Sequence, residues 1–147
     1  MIYLGLDPGK SGAIVAIDGG DISFIKNDNT ERDLSDWLDD LLHPYKDARA
    51  TIEQVHSMPK QGVASSFKFG QSYGFLRGLL IAHRIAFETV TPSKWQGYMK
   101  CRTKGNKNIT KAKAQELFPA HKWTHATSDA VLLAEYGKRT HLTEVAE

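Results

Sequence analysis

The front of the chain sets an acid into a tight turn between two strands. Ile2 to Leu6 and Ala13 to Ile17 are apolar runs separated by Asp7-Pro8-Gly9-Lys10-Ser11-Gly12. That separator is a cluster of turn formers, so the two runs are predicted to fold back on each other as a β-hairpin. The Gly-Lys-Ser within it resembles a phosphate loop but fails two tests. Only Leu6, Asp7 and Pro8 stand between Gly5 and Gly9-Lys10-Ser11, where four residues are needed, and Ala13 to Ile17 reads as a strand where a helix must open. What remains is Asp7, rigidly placed at the end of an apolar strand.

Further along, Ile22 to Ile25 reads as a third strand after the Gly19-Gly20-Asp21 turn. Thr30, with Asp33 three residues on, opens a helix carrying Leu34, Trp37, Leu38, Leu41 and Leu42 at helical spacing, closed by Pro44. Ala48 to Val55 is an apolar, β-branched run ending in Glu53-Gln54, consistent with a buried strand. A long helix is predicted from near Gln61 to near Arg84. Its Gly70, Gly74 and Gly78 are spaced by four, and each costs about 1 kcal/mol relative to Ala, so another backbone is expected to approach that stripe closely. A strand at Ala86 to Val90, a short helix after Pro92-Ser93, a loop at Asn106-Lys107-Asn108 and a helix from Thr110 to Phe118 follow. A last helix spans about Ser128 to Gly137, with the final residues frayed. Strands first, then strands alternating with helices, predict an α/β fold: one domain over residues 1–147, with a mixed sheet covered by helices.

Charge is divided unevenly along the chain. Residues 1–53 carry 5 basic and 11 acidic side chains, and residues 54–147 carry 14 and 6, so a net of only +2 conceals an acidic front and a basic remainder. From Lys94 to Lys113 run seven basic residues, Lys94, Lys100, Arg102, Lys104, Lys107, Lys111 and Lys113, with no acid among them. A polyanion is the expected partner, against the alternative of a merely solvated basic face. The most apolar stretch, Gly74 to Phe87, is broken by Arg77, His83 and Arg84, short of the roughly 18 apolar residues of a membrane span. Neither a membrane partner nor a signal peptide is expected, and a cytoplasmic address follows. Cys101 is the only cysteine, so a metal would have to sit on oxygen and imidazole.

Two further acids draw attention. Glu53 follows Ala50-Thr51-Ile52 in a strand too apolar to hold an unpartnered charge, and Asp129 falls in the first turn of the last helix. Taken singly, each of the three acids has an ordinary explanation as a turn former, an ion-pair partner or a helix-start charge. Were the two strands neighbours and the last helix packed across their ends, Asp7, Glu53 and Asp129 would converge. Their repulsion would then call for a hard cation such as Mg²⁺ or Mn²⁺. His125, four residues before Asp129, would share a helix face with it if the helix starts early enough, as a fourth ligand or a proton donor. His43, His83, His121 and His141 are read as surface or half-buried histidines.

Four segments in order, Gly5-Leu6-Asp7-Pro8-Gly9, Ile52-Glu53-Gln54-Val55, Lys68-Phe69-Gly70-Gln71-Ser72-Tyr73-Gly74 and Ser128-Asp129-Ala130 ahead of Leu132-Leu133-Ala134, resemble the RuvC family of Holliday-junction resolvases over nearly the whole chain. The short length and the Ala134-Glu135-Tyr136-Gly137 ending are more similar to phage-type members. The resemblance implies an RNase H-like fold, a homodimer packed through the Gly70/Gly74/Gly78 helix, and paired symmetric nicks in a four-way DNA junction, in recombination, repair or phage DNA processing within a bacterial or phage-infected cell. It also implies two Mg²⁺ per active site, replaceable by Mn²⁺, with Asp7, Glu53, His125 and Asp129 as catalytic and metal-binding residues. Such paired metals activate the attacking water and stabilise the leaving 3′-oxygen. DNA would be held by His56, Lys94, Lys100, Arg102, Lys104, Lys107, Lys111 and Lys113, with Lys94 and Lys111 matching the family's basic residues near the scissile phosphate. Two departures stand out. The bacterial pattern puts its third metal-site residue at the place of Ala126, one after His125, and an aromatic residue at the place of His56. An RNase H-like nuclease acting on flaps, forks or RNA–DNA hybrids, or a junction-binding protein that does not cut, are the alternatives.

Overall fold

A computed structural model describes residues 1–44, 46–55 and 60–146. The elements run β1 (Ile2–Leu6), β2 (Ala13–Asp18), β3 (Asp21–Lys26), α1 (Glu31–Leu42), β4 (Ala48–Glu53), α2 (Val63–Ala82), β5 (Ala86–Val90), α3 (Pro92–Tyr98), α4 (Asn108–Leu117) and α5 (His125–Ala146). Among the described residues the strands form one mixed sheet in the order β3-β2-β1-β4-β5. The three N-terminal strands are antiparallel neighbours, and β4 and β5 join them in parallel with β1. Helices cover both faces, which is the α/β arrangement that the strand and helix pattern predicts.

Alternation along the strands divides the core into two layers. Ile2, Leu4, Leu6, Ile14, Ala16, Ala50 and Ile52 face Leu34 and Leu38 of α1 and Leu76, Leu79 and Leu80 of α2. On the other face Ala13, Val15 and Ile17 meet Trp95, Ala114, Trp123 and the buried stretch Ala130 to Ala134 of α5. Local signals place most of the boundaries. Thr30 and Asp33 exchange the two hydrogen bonds of a capping box at the start of α1, and Thr91 caps α3 with Pro92 in its first turn. β4 stops at Glu53, two residues before the end of the apolar run, and the next amide, Gln54 N, donates to Val90 O at 2.7 Å.

Two glycines bring α5 onto the sheet. A Cβ at Gly5 would collide with the Ala130 carbonyl oxygen and the Ala134 amide nitrogen, and a Cβ at Gly137 would collide with Thr51 Oγ1. Strand β1 and helix α5 therefore approach backbone to backbone. This helix is longer at both ends than the span Ser128 to Gly137. At its start Thr127 Oγ1 accepts from Thr124 N at 3.2 Å while Thr127 N donates to Thr124 O, so the helix opens at His125. Its final turns are helical rather than frayed, and the Tyr3 hydroxyl sits 2.8 Å from His141 Nδ1. Helix α4 likewise opens at Asn108, inside the predicted loop. The stripe of Gly70, Gly74 and Gly78 faces open space, so the close approach expected there is not made within the chain. No helix among the described residues is long and apolar enough to cross a membrane.

Candidate active site

Asp7 and Glu53 meet because β1 and β4 are parallel neighbours in register. Leu6 pairs with Ile52, so the next residue of each strand emerges at the same end of the sheet. Asp129 joins them from α5, immediately before the Ala130 backbone that rests on Gly5. The turn after β1 is held hard: Asn27 Nδ2 donates to Asp7 O at 2.7 Å and to Gly9 O at 2.8 Å, Gly9 adopts a φ of 101°, and Gly9 N donates to Ser72 Oγ of α2 at 3.1 Å. Both amide hydrogens of Asn27 are thus committed, leaving its Oδ1 buried without a partner among the described residues. The acid at position 7 hangs from a clamped backbone.

Electrostatics shows that the three carboxyls share one environment. Burial, then Glu53 and Asp129, push Asp7 well above the usual carboxylate range, and the Lys107 ammonium pulls it back only in part. Glu53 is pushed up to about 7 by burial and Asp129, against an opposing hydrogen bond from Trp95 and the charge of Lys107. Asp129 is also raised by burial, with Thr110, Lys107 and His125 favouring its ionised form. Each pair therefore repels in a desolvated setting. Oxygen donors of this hardness fit Mg²⁺ or Mn²⁺. Among the described residues, however, no three His, Cys, Asp or Glu side chains stand together as a ready-made ligand set for one ion.

Behind the acids, the fully buried Trp95 of α3 donates its indole Nε1–H to Glu53 Oε2 at 2.7 Å. His125 is the first residue of α5, on the same helix as Asp129, and its Nε2 lies 3.0 Å from Asn108 Oδ1. In front of Asp7 opens a cavity of ≈ 290 Å³, lined also by Lys10, Lys26, Asp28, Lys107 and His125. Sequence reasoning missed Lys10, Lys26 and Trp95. Lys10 is three residues after Asp7 in the same turn, a signal that was there to use. Lys26 and Trp95 reach the site only through packing.

The basic segment is spread over several elements. Lys107, next to the start of α4, is the member that borders the acid cavity. Lys94 is exposed on α3 and Lys111 on α4. Arg102 Nη1 donates to Ser93 Oγ at 3.1 Å, and Lys100 and Lys104 occupy turns with φ of 57° and 48°. Lys113 is half-buried, 3.9 Å from Glu116. His56 lies outside the described residues. Cys101 is buried and its thiol is pushed up to about 11, mainly by that burial, so it offers no thiolate near neutral pH.

The fold has solved counterparts. Thermus thermophilus RuvC in complex with a Holliday junction substrate is similar at a TM-score of 0.66 and 12% identity, over 95% of this chain and 96% of that one. Another structure of Thermus thermophilus RuvC matches at 0.63 and 15% identity, over 96% and 97%. The fold is therefore RuvC-like, as the four sequence segments imply. No family model matches the chain, and no curated protein matches it by sequence.

Proposed function

We propose that this chain is a metal-dependent endodeoxyribonuclease that resolves four-way DNA junctions by paired symmetric nicks. One observation carries the reading: three desolvated, mutually repelling carboxyls, Asp7, Glu53 and Asp129, gather at one end of a RuvC-like sheet, and Asp7 among them borders a cavity edged with lysines. Asp7, Glu53 and Asp129, with His125, would hold divalent cations, which supply an activated water and charge neutralisation at the leaving 3′-oxygen. The chain's own residues do the rest. Trp95 fixes the orientation of Glu53, and Asn27 fixes the backbone that carries Asp7. Lys10, Lys26 and Lys107 draw the phosphate backbone to the cavity, and Lys94, Lys100, Arg102, Lys104, Lys111 and Lys113 extend the basic surface through counterion release. His125, exposed at the cavity rim, serves as a ligand or a proton donor.

Paired nicks need two sites related by symmetry. Helix α2 supports a homodimer, because the open glycine stripe shares the helix with exposed Val63, Phe67 and Ile81, an apolar surface left uncovered among the described residues. The setting would be recombination, repair or phage DNA processing in the cytoplasm of a bacterial or phage-infected cell.

The test is a labelled four-way junction beside a linear duplex of the same sequence, with Mg²⁺ or EDTA, using the wild type and Asp7→Asn. Symmetric Mg²⁺-dependent nicks in the junction alone, lost in Asp7→Asn while junction binding persists, are expected. Binding without nicks would make the chain a junction binder. Equal cutting of flaps, forks or RNA–DNA hybrids would make it a broader nuclease.

A further inference from the structure

A second cavity, of ≈ 460 Å³, lies on the α1/α2 side of the β1–β2 turn. Its size falls within the about 300–1,000 Å³ typical of built small-molecule sites. The turn is the wall between this cavity and the acid cavity, and Lys10 lines both. The neighbours Asn27 and Asp28 divide in the same way, Asn27 lining the second cavity and Asp28 the first. That wall does not yield easily, because Asn27 ties it to Asp7 O and Gly9 O. A strand whose phosphate lies at Asp7 can therefore pass over Lys10 and present its neighbouring nucleotide to the second cavity.

The lining has the chemistry of a base site rather than a phosphate site. Phe69 and Phe75 contribute rings, the surface on which an unpaired base stacks. Asn29 and Gln71 contribute amides, the side chains that read a base edge with donor and acceptor together. Asn29 Nδ2 donates to Lys26 O at 2.9 Å, which fixes its amide in the lining. Exposed Lys10 and Lys68 supply positive charge at the rim for the flanking phosphates. An apolar peptide would gain little from those amides and lysines, and a free phosphate would gain nothing from the rings.

We propose that this cavity receives one unpaired nucleobase of the strand held at the acid cluster, and so sets the base preference beside the cut. The proposal rests on the nuclease reading above and names the specificity device of that same site. It predicts that preference is read from the α1/α2 side of the turn, by Gln71 and Asn29, and not from the basic segment.

The test measures cleavage rates over four-way junctions randomised at the exchange point, for wild type, Gln71→Glu and Asn29→Ala, with junction binding by Asp7→Asn measured alongside. The wild type is expected to favour one base at a fixed distance from the nick. Gln71→Glu, which keeps an acceptor and loses the donor, is expected to change the relative rates of bases with amino and with carbonyl edges by about fivefold or more. Asn29→Ala is expected to flatten the preference. The same ranking in all three proteins, or equal cutting of every sequence by the wild type, overturns the base site and leaves the nuclease reading standing. Absence of both cutting and binding overturns the nuclease reading and takes this inference with it.

Discussion

Replacing Glu53 by glutamine is expected to stabilise the fold while it removes activity. The amide has nearly the shape of the carboxyl and keeps an oxygen to accept the 2.7 Å hydrogen bond from Trp95 Nε1. What it removes is an ionisation that the folded protein resists. Burial and Asp129 raise Glu53 from 4.5 to about 7, so between those values the folded chain binds a proton that the unfolded chain has lost. Stability held by the protonated form is complete below the unfolded value of 4.5 and falls as pH rises through about 7. A rise of that size corresponds to about 3 kcal/mol once Glu53 is ionised in both states. Glutamine pays none of it. For a chain of this length the gain amounts to roughly 6–12 °C in melting temperature, at about 2–4 °C per kcal/mol. Thermal unfolding followed by circular dichroism in EDTA, at one pH below 4.5 and one above 7, measures it directly. Wild type and Glu53→Gln should melt together in acid and separate at the higher pH, with the variant above. Equal melting temperatures at high pH would refute the account of a strained, uncompensated carboxylate. A gain undiminished in acid would show that packing, and not charge, produced it.

Three more outcomes follow from the geometry. Trp95→Phe keeps most of the buried ring but takes away the donor to Glu53; urea denaturation should show a loss of about 1.5–3 kcal/mol above pH 7 and a smaller loss in acid, because the bond to the ionised form is the stronger one. Gly5→Ala forces a methyl into the Ala130 carbonyl and should cost about 3 kcal/mol or more, whereas Gly74→Ala meets open space and should raise helix stability by up to about 1 kcal/mol. Thermal melts of the two variants separate them, and sedimentation of Gly74→Ala reports whether the stripe also joins two copies. Finally, Lys104→Ala with Lys107→Ala should reduce the slope of log binding constant against log salt by about 2 if both lysines neutralise phosphates. Fluorescence anisotropy on a labelled junction reads that slope, and an unchanged value would remove these lysines from the DNA contact.

What the amino-acid sequence determined by itself is whatever a few neighbouring residues can encode. Turn formers between two apolar runs specified the hairpin that carries Asp7. Thr30 with Asp33, and Thr91 with Pro92, specified helix starts through capping bonds that close within three residues. The conflict of Glu53 with its apolar strand marked a site before any tertiary contact was known, because a charge is costly to bury wherever the partner comes from. The three acids could be named in this way, but their company could not. Trp95 lies 42 residues from Glu53, and Asn27 lies 20 from Asp7. The convergence of Lys107 on the carboxyls, and the division of two cavities by one turn, likewise arise only when helices settle on the sheet. That settling depends on how closely two backbones can approach, and here Gly5 and Gly137 let α5 descend far enough to deliver Asp129 beside Asp7. Even the place of His125 was decided there, since the exchange between Thr124 and Thr127 opens the helix one turn ahead of Asp129. Periodicity and caps are local and survive in the sequence as patterns. The register of a helix on a sheet is a sum over many weak, distant contacts, and it leaves no pattern of its own to read.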